Sequence, residues 1–599
     1  MAPNNLPAKE VLKDEFSIYP GKSTPCDVYL YQNCIEYCRR TGQNSNLNKK
    51  VSIEFVDVIG CHCFEDRDFI LNKKRPKNED ISTAFFCLYH YPRCNDVRQK
   101  QVVVFRVNKH ETFEENLTIA KKWRTAILHI LRGATLLGDE DVENLSVPRP
   151  RKMLVFVNPY SGTRRAEPIF HKKVAPLFDE ADIKYELVIT ERQFHAKKMV
   201  EELEDLNSYN GIVIISGDGL VYEVLNGLMA RKDRHEALKI PIGVVPGGSG
   251  NALAACVLSA EQDSYRKNAV LHSAFTIAKG GKQPMDLVKV QTPSVSMYSF
   301  LCISWAMISD IDIESERFRS FGAVRFLLGA IVRTICLRRY QGRLSYLPVE
   351  DTSRYEEHFS KPLQQVEKDL SRQTNLGRTC SKSLPVLDSE PRLINIRPIG
   401  TSPSFPSSFP NQCSNSNTLH NFVEEHDVND VEMSNVSDST NSVKHQPNIK
   451  DTTDNSSTNN SNKTLLSPLD QPVPSNWVTI EGEFIGFCAV YTSHISQDAY
   501  MWPGRKSDEG VISIQYVMSP LSRASIASLL LAFEDASHTQ SDNLRTVFAQ
   551  AFRLESLEPD RGILTIDGEA LEKGTSCIQA EVIQRKFQII RPGNGTSTS

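Results

Sequence analysis

No run of about 18 or more apolar residues occurs in this 599-residue sequence, so a membrane-spanning helix is not expected. The longest candidate, FLLGAIVRTICL at residues 326–337, is too short and is interrupted by Arg333. A secretory leader is also missing: the opening MAPNNLPAKEVLKDEF has no apolar core. So is an excess of one charge. The 69 basic and 73 acidic residues leave a formal net charge of −4, which argues against nucleic acid as the main partner. The 14 cysteines are scattered and, without a leader, are expected as reduced thiols in the cytosol. CHC at residues 61–63 has no second pair at zinc spacing. Strand alternation would also turn Cys61 and Cys63 to one face and His62 to the other. Two nucleotide signatures are absent too. No segment is a Walker A and no G-x-G-x-x-G opens a helix, which argues against a P-loop NTPase and the usual dinucleotide fold.

Aromatic residues nearly vanish from one stretch. Residues 361–474 hold no Trp or Tyr and are dominated by Ser, Asn, Thr, Asp and Pro. Such a segment cannot bury enough apolar area to offset its ordering entropy. Residues 354–474 are therefore expected as a disordered insertion, with Ser402-Pro403 and Ser467-Pro468 as candidate phosphorylation sites.

The length allows two or three domains. Residues 1–24 are expected as a flexible N-terminus. Residues 25–135 contain strand-like pieces, VSIEFVDVIG, STAFFCLYHY and QVVVFRV, and end in a helix with Leu117, Ala120, Trp123, Ala126, Ile127 and Leu131 in register. Several strands closed by one helix resemble a pleckstrin-homology-like domain, and a small α+β packing domain fits the same pattern. Residues 136–150 are expected as a linker. From 151 to 284, strands and helices alternate, which implies an α/β lobe with a largely parallel sheet and covering helices. Residues 285–353 and 475–592 carry closely spaced strands, expected as an antiparallel β-sandwich lobe with a long helix near 320–337 embedded in it.

Three glycine-rich elements fall at strand ends within the α/β lobe: VFVNPYSGTRR (155–165), SGDG (216–219) and VVPGGSGNALA (244–254). In an open parallel sheet, ligands bind at the carboxyl ends of strands. Glycine turns expose backbone N–H groups and a helix start adds a favourable dipole, so the three together make a phosphate cradle. An aspartate fixed between Gly217 and Gly219 is a costly choice for a turn alone.

SGDG followed by GGSGN is similar to the diacylglycerol-kinase-type catalytic domain of lipid kinases. SGDGLVYEVLNGLMAR, PGGSGNALAA and SDIDIESERFRSFGAVRFLLG narrow the resemblance to sphingosine kinases, with TERQFHA, GRLSYLPV, SPLSRASI and IDGE in the same order. The resemblance covers about 153–349 and 474 to the C-terminus. It implies ATP-dependent phosphorylation of the primary hydroxyl of sphingosine and related sphingoid bases, giving sphingosine 1-phosphate. By the same resemblance Asp218 is the catalytic base, and Ser216, Gly217, Gly219 and Asp312 meet the substrate, Asp312 pairing with its polar headgroup. Asn158, Pro159 and Tyr160 form the first nucleotide loop, and Thr190, Glu191, Arg192, Gln193 and Phe194 the second. Glu223, the third loop (Gly248, Ser249, Gly250) and Asp567, Gly568 and Glu569 complete the ATP site. Arg319 and Arg325 reach the phosphates, a role suited to guanidinium. Mg²⁺ is implied as a second cofactor, with no protein ligands assigned. Acids also favour helix N-termini, which accounts equally for Asp310, Glu314 and Glu316. The sequence departs from the family pattern at Cys302 and Met307, where a serine and an aromatic residue are expected, and in the fewer glycines of its first loop.

The segment FGAVRFLLGAIVRTICLRRYQGRL is apolar on most faces and carries Arg333, Arg338 and Arg339. It fits a helix that binds a membrane surface or a calmodulin-type partner, or a core helix lining a lipid cavity. A long-chain substrate requires membrane docking, expected as peripheral and reversible recruitment of a cytoplasmic protein. The alternatives are a ceramide or other lipid kinase on the same fold, and a non-catalytic lipid-binding scaffold.

Overall fold

A computed structural model describes residues 9–20, 24–39, 50–64, 82–261, 263, 265–322, 324–353, 355–356, 464–558 and 561–591, with the side chains of residues 319 and 320 excepted. The expected insertion falls mostly outside them, Ser402-Pro403 included. Its last part is ordered, however. Arg553 holds the chain at 467–471 by donating to the carbonyls of Ser467, Pro468 and Gln471 at 3.2, 3.0 and 2.6 Å. At the other margin, Tyr355 is buried against Trp502 and Phe548. Both anchors are long-range contacts that local composition does not show.

The N-terminal region is a seven-stranded antiparallel sheet. Its spatial order is Lys50–Glu54, Cys34–Arg39, Pro25–Tyr31, Glu10–Tyr19, Gln101–Val107, Ala84–His90 and Val58–Phe64. The helix Phe113–Leu131 covers one face. Thr112 caps that helix by accepting from the Glu115 N–H at 3.3 Å and donating to the Glu115 carboxylate at 2.7 Å. Trp123 packs on Phe16 and Phe86. Two boundaries are corrected here. Glu10–Tyr19 is the middle strand of the sheet rather than part of a flexible terminus, because Val11, Leu12 and Phe16 point into the core. The supposed linker contains the short helix Asp139–Glu143 and packs Leu136 and Val142 against the same core.

In the α/β region, four strands lie parallel in the order Ile183–Ile189, Arg151–Val157, Gly211–Ser216 and Ile242–Pro246. Their apolar runs feed two cores, one on each face. Leu154, Phe156, Ile212 and Ile214 join the helices Asp218–Ala230 and Ala252–Ala260. Met153, Val155, Val213 and Ile215 join Phe170, Phe178 and Phe275 on the other side.

The antiparallel region does not stand apart from this sheet. Ile242 pairs with Ile589, and through the strand Cys577–Ile589 the path continues into Arg545–Ser556, Tyr340–Pro348, Val478–Val490, Cys302–Ala306 and Leu564–Ile566. Val478–Val490 and Arg545–Ser556 each pair with both Tyr340–Pro348 and Ile512–Met518, closing a four-stranded ring around an aromatic core. The expected long helix near 320–337 is a 3₁₀ segment, Ser315–Phe321, followed by the helix Val324–Ile335. Among the described residues no helix is long and apolar enough to cross a membrane.

Candidate active site

The three glycine loops meet at the carboxyl ends of the strands Arg151–Val157, Gly211–Ser216 and Ile242–Pro246. They touch backbone to backbone. A Cβ on Gly248 would lie 2.4 Å from the Gly217 Cα, and one on Gly162 would lie 2.9 Å from the Gly247 carbonyl oxygen. The Gly217 N–H donates to Ser161 Oγ at 3.1 Å, and the Gly247 N–H donates to the Ser216 carbonyl at 2.9 Å. Glycine is required where backbones approach this closely.

Asp218 opens the helix Asp218–Ala230, but its carboxylate serves another helix. It accepts from the N–H groups of Ala252 and Leu253 at 2.8 and 3.1 Å, at the start of Ala252–Ala260. Burial raises its pKa, and these backbone bonds oppose the rise. Asn251, in the left-handed region at φ 54°, folds back on the third loop. Its side chain accepts from the Gly248 N–H at 2.8 Å and donates to the Gly248 carbonyl at 2.9 Å.

From the antiparallel region, the helix Met307–Glu314 and the turn at 567–569 face this centre. Asp312 Oδ2 would lie 3.4 Å from a Cβ on Gly568, and Glu569 Oε1 would lie 2.7 Å from one on Gly219. Asp312 is pushed up to about 7, because burial outweighs the attraction of Arg325, and the carboxylates of Glu316, Glu569 and Asp218 add to the rise.

A profile of the diacylglycerol kinase catalytic domain matches residues 152–290, a span that holds all three loops. Sphingosine kinase 2 of Homo sapiens is 34% identical over 98% of this chain and 90% of its own length. The chain belongs to the sphingosine kinase family. Sphingosine kinase 1 of Mus musculus is 30% identical over 71% of this chain and 87% of its own length. Sphingosine kinase 2 of Arabidopsis thaliana reaches 42% over 37% of this chain and 45% of its own length. The 98% coverage carries the likeness across the first 150 residues, which the motifs left out.

In this lipid kinase, the residues singled out from sequence divide into those at the cleft and those that support it. Ser216, Gly217, Gly219, Gly248, Ser249 and Gly250 line the centre around Asp218. Asn158 shapes the first loop, its Oδ1 accepting from the Tyr160 N–H at 2.9 Å, with Pro159 between them and Tyr160 exposed. Thr190 is buried, its N–H on the Val157 carbonyl at 2.8 Å, whereas Glu191, Arg192, Gln193 and Phe194 are exposed. Glu223 lies beside the start of the helix His195–Glu202; burial raises its pKa, and the nearby backbone N–H groups of Phe194, Lys197 and Ala196 oppose the rise.

Asp567 turns inward. Its carboxylate accepts from Ser299 Oγ at 2.6 Å and from the N–H groups of Phe300, Leu301 and Cys302 at 3.0, 2.9 and 3.1 Å. These bonds make its carboxylate a support of the turn that carries Gly568 and Glu569. Arg325 is buried on ion pairs, with Asp312 at 3.2 Å and with Glu316. The side chain of Arg319 lies outside the described residues.

The remaining acids of SDIDIESE are not helix-terminus ornaments. Asp310 accepts from Tyr340 Oη at 2.5 Å, and Glu314 pairs with Arg333 and Arg338 at 3.2 and 2.8 Å. Met307 belongs to an apolar cluster with Ile311, Ile485, Val517, Ile526 and Leu529. Cys302 is buried, and its thiol is held well above its ordinary pKa by the neighbouring Cys488. Sequence reasoning missed Ser161, Asn251, Tyr265 and Gln497. The first two sit inside quoted loops and were readable there, but the other two come from distant elements: Gln497 Oε1 accepts from Asn251 Nδ2 at 3.3 Å and from Tyr265 Oη at 2.9 Å.

Proposed function

We propose that this chain transfers the γ-phosphoryl group of ATP to the primary hydroxyl of sphingosine and related sphingoid bases. The observation that carries the reading is one cleft with two chemically different walls: glycine loops and a helix start around Asp218, and the half-buried carboxylate of Asp312 facing them. Asp218 takes the hydroxyl proton as that oxygen bonds to the γ-phosphorus, the bridging P–O bond breaks, and ADP leaves. Its bonds to Ala252 and Leu253 hold it in place, and a base acts only within hydrogen-bond reach of its proton. Asp312 pairs with the ammonium and hydroxyl groups of the sphingoid headgroup, a partner that neutral diacylglycerol does not need.

The loops fit triphosphate, since the backbone at Gly248 and Gly250 borders the start of Ala252–Ala260 and a side chain at Gly248 would clash with Gly217. Arg319 and Arg325 supply charge to the phosphates, Arg325 by exchanging its carboxylate partners. Most of the rate comes from positioning and charge neutralisation. Mg²⁺ bound with the nucleotide would neutralise phosphate charge, and no protein ligand is assigned to it.

Membrane docking falls to the helix Val324–Ile335, whose outward residues Val324, Leu327, Ile331 and Ile335 are apolar and exposed. The N-terminal sheet and helix serve as a pleckstrin-homology-like module packed on the kinase. The test is phosphate transfer from Mg-ATP to sphingosine, ceramide and diacylglycerol in mixed micelles, beside Asp218→Asn. Transfer to sphingosine, lost in the variant, is expected. Transfer mainly to ceramide or diacylglycerol overturns the role of Asp312, and an active variant overturns that of Asp218.

A further inference from the structure

We infer that Gln497, at the tip of a hairpin in the antiparallel region, is a positioning residue for the phosphate loop and for the Asp218 carboxylate. The inference rests on the proposed roles of that loop and of Asp218.

Gln497 lies between the short strands His494–Ser496 and Ala499–Tyr500. Its backbone N–H donates to the Gly250 carbonyl at 2.7 Å. Its side-chain Oε1 accepts from Tyr265 Oη at 2.9 Å and from Asn251 Nδ2 at 3.3 Å. One residue thus grips two consecutive positions of the third loop and ties them to Tyr265, which opens the helix Tyr265–Lys279. The Asn251 amide group that reaches Gln497 also donates to the Gly248 carbonyl. The next two residues, Ala252 and Leu253, supply the N–H groups that hold Asp218. A run of hydrogen bonds therefore leads from the hairpin tip, through the loop, to the carboxylate.

The loop needs such a brace. Glycine-rich backbone loses the most freedom when it is ordered, and residues 247–250 sit half-buried at the rim with Ser249 as their only side chain. The hairpin is itself well held. His494 stacks on Tyr500 with ring centroids 4.4 Å apart, Cys256 Sγ donates to the His494 carbonyl at 3.8 Å, and the Tyr500 N–H donates to the Phe533 carbonyl at 2.8 Å. Phe533 packs against the apolar cluster around Met307 and Ile311. Gln497 consequently fixes the phosphate loop relative to the wall that carries Asp312.

The test is steady-state kinetics of the full chain for Gln497→Leu, Gln497→Glu and Asp218→Asn, each with its thermal midpoint. Misplacement by about 1 Å can cost 10²-fold. The leucine variant keeps the backbone bond, so a smaller loss is expected: about tenfold higher KM for ATP and severalfold lower kcat, with the KM for sphingosine within about twofold. Glutamate keeps the accepting oxygen and is expected to restore most of the ATP KM. A merely structural role would lower the thermal midpoint and the active fraction without moving the ATP KM. Unchanged kinetics in the leucine variant, or equal KM changes for both substrates, overturns the inference. An active Asp218→Asn enzyme instead overturns the reading beneath it.

Discussion

In the parallel region the cleft is held by backbone. Gly162, Gly217 and Gly248 let three loops touch, and the N–H groups of Ala252 and Leu253 fix Asp218. In the antiparallel region the opposite wall is held by side-chain charge. Arg325 and Arg333, on the inner face of the helix Val324–Ile335, are buried and meet Asp312, Glu316 and Glu314, while Leu327 and Ile331 face outward. This second helix inverts the usual arrangement of an apolar face inward and a polar face outward. The difference teaches where each wall tolerates change. Close backbone contact has no slack at all, whereas ion pairs can trade partners when charged ligands enter.

The largest effect is expected at the backbone wall. Gly248→Ala places a methyl 2.4 Å from the Gly217 Cα, so the loops must separate, and kcat/KM for ATP should fall by roughly 100-fold or more. At the charged wall, Arg325→Met leaves Asp312 and Glu316 without their guanidinium. Removing one member of a buried pair typically costs about 3–5 kcal/mol, and the lower end is expected because Glu316 is half exposed. Denaturant unfolding measures it. Replacing Leu327 and Ile331 together with Gln should weaken binding to anionic vesicles about tenfold while leaving the thermal midpoint unchanged, as sedimentation with vesicles and a melting curve would show.

A further effect concerns pH. The Asp312 carboxyl is pushed up to about 7 from 3.8, so the folded chain keeps a proton that the unfolded chain has released. Stability from this group is full below about pH 4 and is lost as pH rises through about 7. Asp312→Asn should flatten the fall in unfolding midpoint over that window, and an unchanged slope would assign the titration elsewhere.

How much of this was legible depended on the range of the interactions. The parallel strands announce themselves as continuous apolar runs such as GIVIIS, and the loops as glycines at the strand ends. Asp218 stands out for the same local reason. Glu10–Tyr19 was missed because Lys13, Asp14 and Glu15 break its alternation, although Val11, Leu12 and Phe16 reach the core. The partners of Arg325 and Arg333 could not be read, since an arginine in an amphipathic stretch looks solvent-facing until the helix is packed. The grip of Gln497 on Gly250 joins residues far apart in sequence, and no periodicity encodes it. Likewise, nothing local says that the carboxylate of Asp567 turns inward while that of Glu569 stays at the rim.

Tyr340–Pro348 and Val478–Val490 are hydrogen-bonded neighbours, with Tyr346 opposite Val478. The long stretch between them therefore leaves the sheet and returns to it at one place. The entropy of closing a flexible loop grows only logarithmically, by about 0.6 kcal/mol for each doubling of its length. Changing the number of residues between the anchors at Tyr355 and at Ser467 should therefore cost the kinase fold little, and an experimenter can use a position between them as the graft site for a fluorescent reporter.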